Sequence, residues 1–291
     1  MKKLLANFLF YLKNFKNSSN HTIRAYRRDI LDFIDFLKKN NLNFDTVNRD
    51  NLRKFLFELR ERNLTRKSIA RKISGIRSFF RFLTKEGYIK KNPFLMVELP
   101  RVEKKLPVFL TEEEIVKLIN APDSKTLLGL RDKLIILFLY STGVRVSELI
   151  SIKVSHLDLK RGEVKVFGKG KKERIVFLPE QLSTLLKEYL KRRRKTNGYL
   201  FLNRNGKPLT DRGIRLVIKK YSKRVVPDKN VTPHTLRHTF ATHLLTGGAD
   251  LRSVQELLGH SKLSTTQIYT HLTKENLKRI YENFHPHSKK K

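Results

Sequence analysis

The chain has 291 residues, room for two domains with proper cores, and carries 63 Lys and Arg against 27 Asp and Glu, a formal net charge of +36. An excess of that size goes beyond solubility or the dense mixed charge of a heat-adapted surface, and points to an extended polyanion, nucleic acid before anionic membrane. The absence of cysteine excludes disulfides, thiolate metal sites and cysteine nucleophiles.

The start, Met1-Lys2-Lys3 followed by LLANFLFYL, has the outline of a signal peptide. Lys13 and Lys16 follow with no small-residue cleavage site, so a first amphipathic helix is expected instead. No apolar run reaches transmembrane length, and a soluble cytoplasmic protein is expected.

Residues 1–97 read as helices only, four in number. Leu4, Leu5, Phe8 and Leu12 form the first apolar stripe. Ile23, Tyr26, Ile30, Phe33 and Leu37 form the second, Leu52, Phe55, Leu56 and Leu59 the third, and Ile69, Ile73, Ile76, Phe80 and Leu83 the fourth. The polar sides of the second and fourth are basic, with Arg24, Arg27 and Arg28 on one and Arg66, Lys67, Arg71, Lys72 and Arg77 on the other. Such faces are either solvated or suited to phosphate contacts that position a duplex. The stretch from Asn92 to Pro107 holds three prolines and mixed charge, an extended connector whose boundary falls at residues 101–107.

From Thr111 the pattern changes. Thr111 and Glu114 make a capping box, and Leu134 to Tyr140 is an apolar run expected to be a buried helix ending at Ser141-Thr142-Gly143. Val144-Arg145-Val146-Ser147-Glu148-Leu149 follows. Val164 and Val166, then Ile175 and Phe177, alternate with polar residues around Gly168-Lys169-Gly170-Lys171-Lys172, which predicts a β-hairpin with a basic tip. Residues 181–229 are helical and basic, including the run Lys191–Lys195, with a short apolar piece Tyr199–Leu202 and an Asn205-Gly206 turn.

Residues 231–271 carry the densest chemistry, VTPHTLRHTFATHLLTGGADLRSVQELLGHSKLSTTQIYTH. Thr232 and Pro233 open a helix on which His234 and Arg237 share one face. Gly247-Gly248 ends it, and Asp250 caps a second helix burying Leu251, Val254 and Leu258. Gly259 stops that helix with His260 just beyond, and Ser264-Thr265-Thr266 opens a segment bearing Tyr269. Thr273 caps a last helix with Leu277, Ile280, Tyr281 and Phe284.

Pro-His-x-x-Arg-His, Leu-Leu-Gly-His-Ser and Thr-x-x-x-Tyr, in that order, resemble the C-terminal signature of the tyrosine recombinases, most closely the Xer-type enzymes that resolve chromosome dimers. The Val144–Leu149 stretch resembles that family's first arginine motif, and Lys169 matches its hairpin lysine. The resemblance implies a mainly α chain of two domains. These are a helical core-binding bundle over 1–100 and a mostly helical α+β catalytic domain over 108–291, with a small antiparallel sheet and a C-terminal segment 273–291 that docks in cis or on a neighbouring subunit.

It also implies roles. Arg145 and Arg237 would neutralise the scissile phosphate, since a guanidinium fork matches two phosphate oxygens and stays charged. Tyr269 would attack to give a 3′-phosphotyrosine, with His234 as general base/acid and Lys169 as acid to the leaving 5′-oxygen. His260 would position the phosphate, and Glu148 would orient the cluster from behind. No metal, ATP or other cofactor is implied. The implied partners are a double-stranded recombination site, three further protomers of the same or a paralogous chain, and a regulatory protein.

Three alternatives stand beside this reading. A phage or mobile-element integrase performs the same chemistry, and the lack of a segment before residue 1 for an arm-binding domain favours the simpler Xer type. A metal-dependent nuclease would use His234, His238 and His243, but no carboxylate lies between the first two. A non-catalytic DNA-binding protein would need no ordered Arg, Lys, His, Arg, His, Tyr series.

Overall fold

The computed structural model describes residues 1–96, 108–168, 173–193, 198–259 and 273–288. The chain forms two compact units, Met1–Lys105 and Leu106–Lys291. The expected connector at 101–107 lies outside the described residues.

The first unit is built from α1 (Lys2–Asn14), α2 (Asn20–Lys39), α3 (Arg49–Glu61) and α4 (Arg66–Lys85). Three of them start at side-chain caps. Ser19 accepts from the Thr22 amide, Asn48 and Asn51 cap reciprocally, and Thr65 accepts from the Ser68 amide. The periodic positions meet in one core, where Phe33 packs edge-on against Phe55, Phe80 and Phe94 at ring separations of 4.9, 5.8 and 5.3 Å. Leu4, Ile23, Tyr26 and Leu56 sit half-buried at its rim.

The second unit contains α5 (Glu112–Asn120), α6 (Leu127–Thr142), α7 (Val146–Ser151), β1 (Leu157–Asp158), β2 (Glu163–Phe167) and β3 (Glu173–Phe177). It continues with α8 (Glu180–Arg192), α9 (Asp211–Val225), α10 (Pro233–Thr246), α11 (Leu251–Leu258) and α12 (Lys274–Phe284). Helix α6 is nearly all buried, the ion-paired Arg131 and Asp132 included, as befits a central core helix. It ends at Gly143, whose φ of +59° closes the helix, and a Cβ there would lie 2.5 Å from the Phe240 ring on α10. Glycine is therefore what lets α6 and α10 close on each other.

The strands form an antiparallel sheet in the order β1-β2-β3, with Val164 opposite Val176 and Val166 opposite Arg174. This corrects the expected alternation on β3. Val176 shares the inner face with Val164 and Val166, while Ile175 and Phe177 pack on the other side with Leu244, Val254 and Tyr281. On α11 the buried apolar residues are Val254, Leu257 and Leu258, whereas Leu251, expected inside, is 60% exposed in the first turn.

Helix α12 packs against α10 and α11 of its own chain, burying Tyr281 beside Phe240 and Phe177. Just beyond it, His285 is fully buried against the rings of Tyr281, Tyr140 and Phe240. The basic run after residue 190 has a structural use. Arg192 donates to the carbonyls of Ser124 and Lys125, and Arg193 to those of Tyr199 and Leu200.

Candidate active site and nucleic-acid interface

Arg145 is the cap residue of α7, in extended conformation directly after the α6 terminus. Its amide donates to Glu148 Oε2 at 2.7 Å and its Nη1 to Glu148 Oε1 at 3.0 Å, which closes one turn of chain around a single carboxylate. Arg174 on β3 reaches the same group, with Nη1 to Oε1 at 2.7 Å and Nη2 to Oε2 at 3.0 Å. Glu148 is 2% exposed and stays ionised. Burial pushes its carboxyl upward, but the Arg174 hydrogen bonds and charge, and the bonds to Arg145, hold it below the usual range.

Arg237 projects from α10 and is also buried. It donates through Nη1 to the Gly143 carbonyl and through Nη2 to the Leu258 carbonyl at 2.7 Å. Arg145 Nη2 donates to the next carbonyl along, Gly259, at 3.3 Å. The two arginines therefore converge on consecutive carbonyls at the end of α11. Burial, together with the charges of Arg145 and Arg174, pulls the Arg237 guanidinium down to about 10, so it remains charged at neutral pH. Two guanidiniums bond one carboxylate and the third, Arg237, lies within its field, so the surplus is positive. The Arg145 side chain is 36% exposed, and the bonds named here use only part of its donor set. Such a cluster suits an anion approaching from solvent, above all a phosphate.

His234 is exposed in the first turn of α10, three residues before Arg237. Lys169, His260 and Tyr269 lie outside the described residues. The structure thus joins Arg145, Glu148 and Arg237, with Gly259 immediately preceding His260 in the chain. Arg174 was not among the residues singled out from sequence. The expected alternation of Ile175 and Phe177 left it among the polar positions, whereas in the structure it faces inward opposite Val166, where a charge needs a buried partner.

His243, weighed as a metal ligand, is committed elsewhere. Its Nε2–H donates to the Leu110 carbonyl, so Nδ1 accepts from the Tyr140 hydroxyl, both at 2.9 Å. Among the described residues no group of His, Asp and Glu is arranged to hold a metal ion.

In the first unit Arg24, Arg27, Arg28, Arg66 and Lys67 are exposed, and Arg77 is half-buried. Arg71 is half-exposed and forks onto Asp29, one prong at 2.9 Å. Lys72 departs from the expected basic face. It is buried, with its ammonium between Asp29 and Asp32 of α2, because two carboxylates from the neighbouring helix require a cation there.

Residues 108–276 match the Phage integrase family, and residues 5–87 match the Phage integrase, N-terminal SAM-like domain. The tyrosine recombinase XerC of Bacillus pumilus is 44% identical over 300 residues, covering 100% of this chain and 98% of that one. The chain is a tyrosine recombinase of the phage integrase family. The tyrosine recombinase XerD of Staphylococcus haemolyticus is 43% identical over 293 residues, covering 98% and 99% of the two chains. This recombinase is also similar in structure to a XerH site-specific recombinase bound to its difH substrate, with a TM-score of 0.68 and 25% identity over 90% of this chain and 77% of that one. Among the described residues no helix of the recombinase is long and apolar enough to cross a membrane.

Proposed function

We propose that this recombinase is an Xer-type enzyme that resolves chromosome dimers by exchanging strands at a specific DNA site. Arg145 and Arg237 hold the scissile phosphate. The Tyr269 oxygen bonds to phosphorus as the bond to the 5′-oxygen breaks, and Lys169 delivers a proton to that leaving oxygen. His234 takes the phenolic proton, His260 hydrogen-bonds the phosphate, and Glu148 supports Arg145. The 3′-phosphotyrosine conserves the bond energy, so a 5′-hydroxyl of a second strand reverses the attack without metal or ATP.

Residues 1–100 bind the duplex through their basic faces, 108–291 carry the chemistry, and 101–107 link them. Four protomers, identical or paralogous, act on two sites, cutting one strand of each in turn, with a further protein setting the order. The observation that supports this reading best is the convergence of Arg145 and Arg237 on the Leu258 and Gly259 carbonyls, the last two before His260.

The test is covalent trapping with metal chelated, using nicked duplexes of candidate resolution sites and denaturing gels. The nick lets the leaving fragment diffuse away, so an intermediate accumulates. An adduct with wild type that Tyr269→Phe abolishes is the expected result. Chelator-sensitive cleavage without an adduct would overturn the reading, and exchange confined to mobile-element ends would overturn the chromosomal role.

A further inference from the structure

We infer that Arg174 is a positioning residue for strand cleavage, acting through Glu148 to fix the Arg145 guanidinium. The inference rests on the proposed role of Arg145 and deepens it. Among the described residues the Arg174 hydrogen bonds all go to Glu148, one from each Nη to each carboxylate oxygen, while its Nε–H is buried without an acceptor. Glu148 in turn takes the Arg145 amide on Oε2 and its Nη1 on Oε1. Each carboxylate oxygen is therefore pulled from two sides, and the carboxylate plane is set by the pair rather than by Arg145 alone.

The Arg174 side chain is 16% exposed against 36% for Arg145, so of the two it is Arg145 that meets an incoming phosphate. A Cβ on Gly259, whose φ is +65°, would lie 2.9 Å from the Arg174 Cδ, Nε and Nη1 atoms. Arg174 is thereby wedged between Glu148 and the α11 terminus that also receives Arg145 Nη2. It stands on the returning strand of the hairpin, five residues after Lys169 in the chain. Its grip ties that strand to the first arginine.

Without Arg174 the carboxylate would be buried with only Arg145 bonded to it, and burial would favour its neutral form. The charged groups facing Glu148 are Arg145 on its own turn, Arg174 from β3 and Arg237 from α10. Loss of Arg174 removes the largest of the influences that hold the carboxyl low, so its protonation moves to higher pH.

The measurement is single-turnover adduct formation on a nicked site as a function of pH, with DNA affinity and melting temperature recorded on the same proteins. Arg174→Gln should lose about ten- to a hundredfold in cleavage rate with unchanged affinity. Its acid limb should move to higher pH. Glu148→Gln should lose a similar factor, and combining the two should add little. Arg174→Lys, which keeps a cation should Arg174→Gln fail to fold, should fall between wild type and Arg174→Gln in both readouts.

A wild-type rate in Arg174→Gln, or a rate loss matched by weaker DNA binding, would overturn the inference, as would an acid limb that stays put while only the melting temperature falls. Tyr269→Phe run alongside separates the two levels. An adduct that survives it sinks the reading of the site, whereas an adduct that needs Tyr269 but ignores Arg174 sinks this inference alone.

Discussion

Arg237 shows how much of the site's geometry rests on one side chain's shape. Its two Nη groups reach carbonyls from different helices, Gly143 after α6 and Leu258 at the end of α11, a planar fork that the single nitrogen of an ammonium does not reproduce. Arg237→Lys keeps the charge and loses the fork. We expect adduct formation to fall about 10²- to 10³-fold, the range for removing a fixed donor from a developing charge, with a much smaller change in DNA affinity. Quench-flow trapping beside an anisotropy titration checks this, and equal losses in the two would contradict it. The places of Arg145, at the cap of α7, and of Arg237, on α10, were legible in the sequence because their short motifs carry caps and glycines that announce local geometry. Arg174 was not, because its meaning depends on facing Glu148 across 26 positions of chain. Lys72 misled for the same reason, since its partners Asp29 and Asp32 belong to another helix.

Elements were easier to read than the contacts between them. The capped, periodic helices appear where spacing places them, as with Thr111 before α5, Thr232 before α10 and Asp250 before α11. What spacing could not supply is the aromatic and histidine cluster that fastens the end of α12 to the core. His285 is held neutral well below its ordinary value of 6.5, first by burial and then by the like charge that His287 and His243 would set beside it once protonated. His243 and His287 are lowered too, chiefly by burial, with Glu112 pulling both the other way. With these rings neutral, the folded state binds fewer protons than the unfolded chain below about pH 6.5. Stability is then full above that pH and declines as pH falls toward the lowered folded values. From about pH 8 to about pH 5 the melting temperature should drop, and His285→Phe should flatten that drop. Hydrogen exchange should place the acid-labile amides in Lys274–Ser288. Equal acid sensitivity in wild type and variant would remove the histidine cluster as its cause.

At the scale of the molecule, the net charge of +36 forecast a polyanionic partner without saying which cations meet it. The structure sorts the candidates by what each ammonium or guanidinium already touches. Arg66 and Lys67 are exposed at the start of α4, whereas Lys72, one to two turns on, is buried between two carboxylates. A cation that neutralises phosphate releases counterions, so the logarithm of the DNA association constant should fall linearly with the logarithm of salt, by about 0.9 per phosphate engaged. Replacing Arg66 and Lys67 together with Gln should weaken binding alike on specific and unrelated duplexes and shallow that slope by about one to two. Lys72→Gln should leave the slope where it is and lower the melting temperature, because it strips a buried aspartate of one of its two cations. Anisotropy titrations across a salt series, paired with thermal melts, separate the two effects. If Lys72→Gln shallows the slope as the double variant does, Lys72 leaves its aspartates to meet the DNA, and the division between structural and phosphate-facing cations on α4 fails.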